Sequence, residues 1–96
     1  MTIEEIVKKV SKVSNVPEKE IVGKSRKMEI TQARQVSMFL SREILGKSLS
    51  GLGMYFGGRD HTTVMHAIKT ISQKVNTDDV ISNTISKLRT DLNQSF

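Results

Sequence analysis

Arg59, Asp60, His61, Thr62 and Thr63 stand side by side, directly after a paired glycine and directly before an apolar-periodic run that opens at Val64. Within five residues they supply a guanidinium, a carboxylate, an imidazole and two hydroxyl-plus-methyl groups. That mixture suits recognition of a polymer with a fixed array of donors and acceptors, such as the major groove of DNA. There a carboxylate accepts from a cytosine amino group, and a threonine methyl or imidazole edge packs on a thymine methyl. Catalytic readings are weaker. Gly-Lys-Ser occurs at 23–25 and 46–48, but a phosphate-binding loop needs a further glycine five positions ahead, where Glu18 and Ser41 stand. His61 and His66 are five apart, hence not on one helix face. No cysteine or acidic cluster completes a metal site around them. The expectation is a binding module, not an enzyme, with no metal and no cofactor of its own.

The elements that hold this cluster read as helices, because the apolar residues recur at helical spacing and no segment alternates like a strand. Thr2 with Glu5 forms a capping-box pattern ahead of Ile3, Ile6, Val7, Val10 and Val13 on one face. Asn15-Val16-Pro17-Glu18 reads as a cap with proline early in a short helix that ends near Val22-Gly23. Residues 23–29 lack periodicity and form a basic loop. From about Ile30 to Leu45 a longer helix buries Ile30, Ala33, Val36, Leu40 and Ile44, and Gly46 ends it. Ser48 to Phe56 is a short helix with Leu49, Leu52 and Phe56 on its apolar side.

After the Gly57-Gly58 break, a helix over about 60–75 sets Val64, Ala67, Ile68, Ile71 and Val75 inward and Thr62, His66, Lys69 and Gln73 outward. Thr77, with Asp78 and Asp79 behind it, starts a last helix packed through Ile81, Ile85, Leu88 and Leu92. Met38, Met54 and Met65 read as core or gap-filling side chains, and Phe39, Tyr55 and Phe56 as packing. The chain is expected to be a single all-α domain over 1–96, with about six helices. A short helix, a glycine-containing turn and a longer helix with a polar leading end make a helix-turn-helix, whose second helix enters the major groove.

Charge is segregated in the same direction. The formal net charge is +5. Residues 1–21 are balanced and residues 75–96 carry a net −1, whereas residues 22–74 hold nine Lys/Arg against Glu29, Glu43 and Asp60. A basic centre between neutral flanks points to a polyanion. The absence of cysteine suits a reducing compartment. The acidic, soon amphipathic start is unlike a signal peptide, and no apolar run approaches a membrane span. The expectation is a cytoplasmic, nucleoid-associated protein that needs no membrane.

Gly57-Gly58-Arg59-Asp60-His61-Thr62-Thr63-Val64-Met65-His66-Ala67 resembles the signature of the DNA-binding domain of the bacterial replication initiator DnaA family. The likeness continues through Gly23-Lys24-Ser25-Arg26-Lys27, Ala33-Arg34-Gln35, Ser48-Leu49 and Leu52-Gly53, and covers roughly Ile3 to Leu92. It implies an all-helical, Trp-repressor-like domain that recognises short AT-rich boxes in duplex DNA at replication origins. It implies base reading by Asp60, His61 and Thr62, and a minor-groove contact by Arg26 of the basic loop. Phosphate contacts are implied for Arg34, Gln35 and Arg42 on the long helix, for the Thr63 hydroxyl, and for the Leu49 backbone N–H. Lys24 and Lys27 either join those phosphate contacts or are solvated.

Asp60 also suits a plain helix cap. Arg59 either binds phosphate or braces Asp60 and the basic loop. His66 either meets the DNA backbone or makes a structural hydrogen bond, and Lys69 shares its polar face. The chain departs from the family pattern at Met28 and Glu29, where basic or small residues are common, and at Ala33, which replaces a proline. Glu29 lowers the local field, while alanine suits a helix interior. In full-length initiators ATP binds a separate domain, which this chain does not contain. The partner is therefore double-stranded DNA, with no small-molecule substrate, bound by a domain that is monomeric when free. Two other readings share some of these features: a helical protein-interaction module, and a generic helix-turn-helix transcription regulator.

Overall fold

The computed structural model describes residues 1–93 and contains six helices. They are α1 (Ile3–Ser14), α2 (Glu18–Ile21), α3 (Met28–Leu45), α4 (Leu49–Tyr55), α5 (His61–Thr77) and α6 (Asp79–Asn93). The all-α expectation holds, and the described residues contain no strand. α3 is the axis of the fold: its 18 residues rise about 27 Å, close to the 29 Å width of the molecule. α1, α2, α4 and α5 all pack on it, and α6 closes against α5 and α1.

The expected stripes supply the core. Ile6, Val7 and Val10 of α1, Val64, Ala67 and Ile71 of α5, and Ile81, Ile85, Leu88 and Leu92 of α6 are buried. α3 exceeds its one-face reading. Ile30, Ala33, Val36 and Leu40 are buried as expected, but so are Arg34, Ser37, Met38 and Ser41, because neighbours cover the helix on more than one side. Ser37 satisfies its hydroxyl at the Ala33 carbonyl, 2.9 Å away, while the buried Ser41 Oγ has no partner among the described residues. At the surface, Arg89 of α6 donates to both carboxylate oxygens of Glu43 and lies over the Phe39 ring.

Several boundaries differ from the sequence reading, each for a local reason. Asn15 does not open α2; it closes α1 in the left-handed conformation, its N–H bonded to the Ser11 carbonyl. Pro17 takes the cap position of α2 instead. α3 begins at Met28, so the loop is shorter than expected and Glu29 lies in the first helical turn, where a carboxylate suits the helix dipole. Thr77 belongs to α5, donating its hydroxyl to the Gln73 carbonyl, and Asp78 caps α6 by accepting from Val80 and Ile81. Of the three methionines read as packing, only Met38 is core. Met54 is 81 % and Met65 46 % exposed, because each follows a buried neighbour around its helix onto the solvent side.

Candidate nucleic-acid interface

α4, the glycine turn and α5 fold as a helix-turn-helix through an unusually close backbone approach. The Arg59 N–H donates to the Gly53 carbonyl at 2.8 Å. A Cβ placed on Gly53 would lie 2.0 Å from the Arg59 carbonyl oxygen, so no side chain fits at that position. Gly57 turns the chain with φ +85°, a conformation that L side chains rarely adopt.

This turn delivers the polar cluster to the first turn of α5. Asp60 is the cap: its Oδ1 accepts the Thr63 N–H at 2.9 Å. That backbone bond holds the Asp60 carboxyl below its ordinary value, helped by the Thr63 hydroxyl and the nearby His61. Asp60, His61, Thr62 and Thr63 are all exposed, and along the same outer surface so are His66 and Lys69. The expected opposition of this face to Val64, Ala67 and Ile71 is therefore present.

The basic loop is brought beside this helix end. Lys24, Ser25 and Arg26 line one wall of a cleft of about 450 Å³ whose other walls are Thr31, Arg34, Gly57, Gly58, Arg59 and Thr63. A second cleft, of about 220 Å³, runs between α3 and α5 with Gln35, Thr63 and His66 along it. Arg26, Lys24, Gln35, Thr63 and His66 thus border one continuous groove region. Thr31 lines both clefts and did not stand out in the sequence; its only signal is a hydroxyl one helical turn before Arg34. Lys27 is exposed at the start of α3, outside both linings.

Arg42 and Leu49 form a separate corner. The Arg42 guanidinium donates to the Lys47 carbonyl at 2.7 Å, which holds it beside the start of α4. Ser48 caps α4 by accepting the Gly51 N–H, and the Leu49 N–H, at the first helical position, has no intrahelical acceptor. An exposed cation and an open N–H therefore sit together, a pairing suited to a phosphate.

Arg34 lies deeper than its polar neighbours on this face. The side chain is 4 % exposed. Its Nε donates to the Ile21 carbonyl at 2.7 Å, and its terminal nitrogens donate to the Ser25 and Glu20 carbonyls at 2.9 Å each. The guanidinium is thus directed at three carbonyls, while the residue also borders both clefts. Burial first, and then the neighbouring Arg59 charge, push its pKa down, while Glu20 pulls it up. Arg59 contacts the loop and the preceding turn and, among the described residues, makes no hydrogen bond to the Asp60 side chain. One terminal nitrogen donates to the Gly23 carbonyl at 3.0 Å and to the Phe56 carbonyl. Burial lowers its pKa as well.

A short helix, a glycine turn and a longer helix with an exposed polar leading end define the class as helix-turn-helix. Sequence comparison narrows it. The family model described as "Bacterial dnaA protein helix-turn-helix" matches residues 3–71. Among relatives, the chromosomal replication initiator protein DnaA of Limosilactobacillus fermentum is 42 % identical over 92 residues, covering 96 % of this chain and 21 % of the relative. Its counterpart in Enterococcus faecalis is 42 % identical over 93 residues, covering 97 % and 21 %. That of Chlorobaculum tepidum is 39 % identical over 89 residues, covering 93 % and 18 %. The chain belongs to the DnaA helix-turn-helix family, and it spans about a fifth of the length of these relatives.

Proposed function

We propose that this domain binds double-stranded DNA sequence-specifically, at short AT-rich initiator boxes of a bacterial replication origin, and so contributes to the initiation and regulation of replication. The observation that carries the reading is the cleft in which the Arg26 loop and the exposed leading end of α5 lie side by side. Two readers bordering one cleft suit adjacent grooves of one duplex. Asp60, His61 and Thr62 read base edges in the major groove, with Asp60 positioned by its cap bond. Arg26 enters the adjacent minor groove, where narrow AT-rich sequence concentrates negative potential.

Lys24, Lys27, Gln35, Arg42, the Thr63 hydroxyl and the Leu49 N–H hold phosphates and set the register without reading sequence. His66 and Lys69, exposed on the same helix, flank those contacts. The domain acts as a monomeric binding module in the cytoplasm, with no catalytic step, cofactor or membrane of its own. Strand opening belongs to the ATP-binding part of a full-length initiator. The test is a fluorescence titration of the chain against an initiator box and a scrambled duplex of equal length. Tighter binding to the box is expected, by at least about tenfold, and equal affinities would sink the reading.

A further inference from the structure

We propose that Arg59 is a positioning residue that fastens the Arg26 loop, itself held from α3 by Arg34, to the start of α5, so that the minor-groove and major-groove contacts engage as one unit. The proposal rests on the DNA-binding reading above. Among the described residues, the loop's one internal side-chain bond is the Lys27 N–H to Ser25 Oγ, at 3.3 Å. The carbonyls of Glu20, Ile21, Gly23 and Ser25, at the loop's approach and in the loop itself, instead accept from the two guanidiniums. Arg34 reaches them from the middle of the fold. Arg59 reaches across 36 positions of sequence from the residue before the α5 cap.

The backbone is shaped to allow this contact. A Cβ on Gly57 would lie 2.6 Å from the Arg59 guanidinium and 3.2 Å from each of the Val22 and Gly23 carbonyl oxygens. The turn that aims α5 therefore lies directly against the chain that leads into the loop. A tilt of α5 displaces Arg59, and Arg59 displaces Gly23, three residues before Arg26.

The electrostatics favour a brace that works next to a polyanion. Among the described residues neither arginine forms an ion pair, and the two charges disfavour one another. Their hydrogen-bond partners are carbonyl dipoles, with Glu20 near enough to favour the Arg34 charge, and the brace brings no carboxylate into the lining of the cleft that Lys24, Arg26 and Thr63 share with the two arginines. A phosphate chain beside the cleft leaves those carbonyl bonds intact. A brace built from carboxylates would instead repel it.

The experiment titrates three duplexes: an initiator box, the same box with 2,6-diaminopurine for adenine, and a scrambled sequence. Diaminopurine adds an amino group in the minor groove and leaves the major-groove edges unchanged, so it reports on Arg26. The parent chain is expected to lose roughly tenfold in affinity on that replacement, the value of one good base contact. Arg59→Ala, like Arg26→Ala, should reduce that penalty to below about twofold, and the double variant should bind the box no more than about twofold weaker than Arg26→Ala alone. Arg59→Met, which keeps the stem's packing and removes only the donors, carries the same expectations should the alanine variant not fold. Retention of the full diaminopurine penalty, with losses that multiply in the double variant, would show an independent phosphate contact and overturn the proposal.

Trypsin gives a readout without DNA, since Lys24, Arg26 and Lys27 are cleavage sites within the loop. Cleavage there should be at least about tenfold faster in the folded Arg59 variants than in the parent, and unchanged cleavage would sink the brace. Equal binding of the parent to box and scrambled duplexes would defeat the DNA-binding reading and the coupling with it. The trypsin result would still decide whether the brace exists.

Discussion

Asp60 serves two ends at once. Its Oδ1 holds the Thr63 N–H, which fixes the first turn of α5, and its exposed position offers the remaining acceptor capacity outward. Asparagine caps a helix about as well as aspartate, whereas alanine does not. Asp60→Asn is therefore expected to melt near the parent temperature at neutral pH, and Asp60→Ala below it. Both should lose discrimination at the base pair that the carboxylate is proposed to read, by roughly 5- to 150-fold for a good contact, with asparagine shifting preference toward adenine. Thermal melts beside titrations of single-base box variants check this, and an Asp60→Asn protein with unchanged base preference would sink the reader role. The pH dependence follows from the same bond. Because the folded carboxyl titrates below the ordinary value of 3.8, the cap's contribution is complete above that value and is lost as pH falls through the folded one. That acid-side loss should be absent from Asp60→Asn. The cap and the outward face were both legible in the sequence, since Asp-x-x-Thr ahead of an apolar run states both. Arg34 was not legible. An arginine is ordinarily surface-exposed, and its carbonyl partners lie 9 to 14 positions away on the far side of a loop, where no spacing rule reaches.

Single helices were legible from periodicity because each outer helix packs through one face. α3 was legible only in part, since four neighbours cover it and its inward polar residues carry no apolar signature. The misplaced junctions have a common cause. Asn15 and Thr77 are residue types that serve both ends of a helix, and the backbone conformation around each decides which end it joins. Gly53 illustrates a contact the sequence only hinted at. It lies inside a seven-residue helix, where glycine costs about 1 kcal/mol relative to alanine by propensity alone. At this site the order reverses, because the added methyl would meet the Arg59 carbonyl at 2.0 Å and force α4 away from the turn. Gly53→Ala is expected to destabilise the domain by at least about 3 kcal/mol, read by urea unfolding. A stability equal to or above the parent's would mean that the α4–turn contact is looser than described.

Across the whole molecule, the middle of the sequence holds the charge excess, but the fold divides those cations by task. Arg34 and Arg59 turn inward to carbonyls, Lys24 and Arg26 line the cleft, and Arg42 stands at the far end of α3 beside α4. A count of charges along the chain therefore exceeds the number of exposed cations available to a phosphate. Salt dependence measures the second quantity, since log affinity falls by about 0.9 per neutralised phosphate for each decade of salt. Arg42→Ala should make that slope shallower by about 0.9 and weaken box and scrambled duplexes in equal proportion, because Arg42, held by the Lys47 carbonyl at the α3–α4 corner, is not among the proposed base-reading residues of α5. Arg59→Ala should leave the slope within about 0.3 of the parent value if its charge faces carbonyls and not phosphate. Titrations over a series of salt concentrations separate the two variants. A slope change of the same size in both would return Arg59 to the phosphate-binding set and undo the division of tasks.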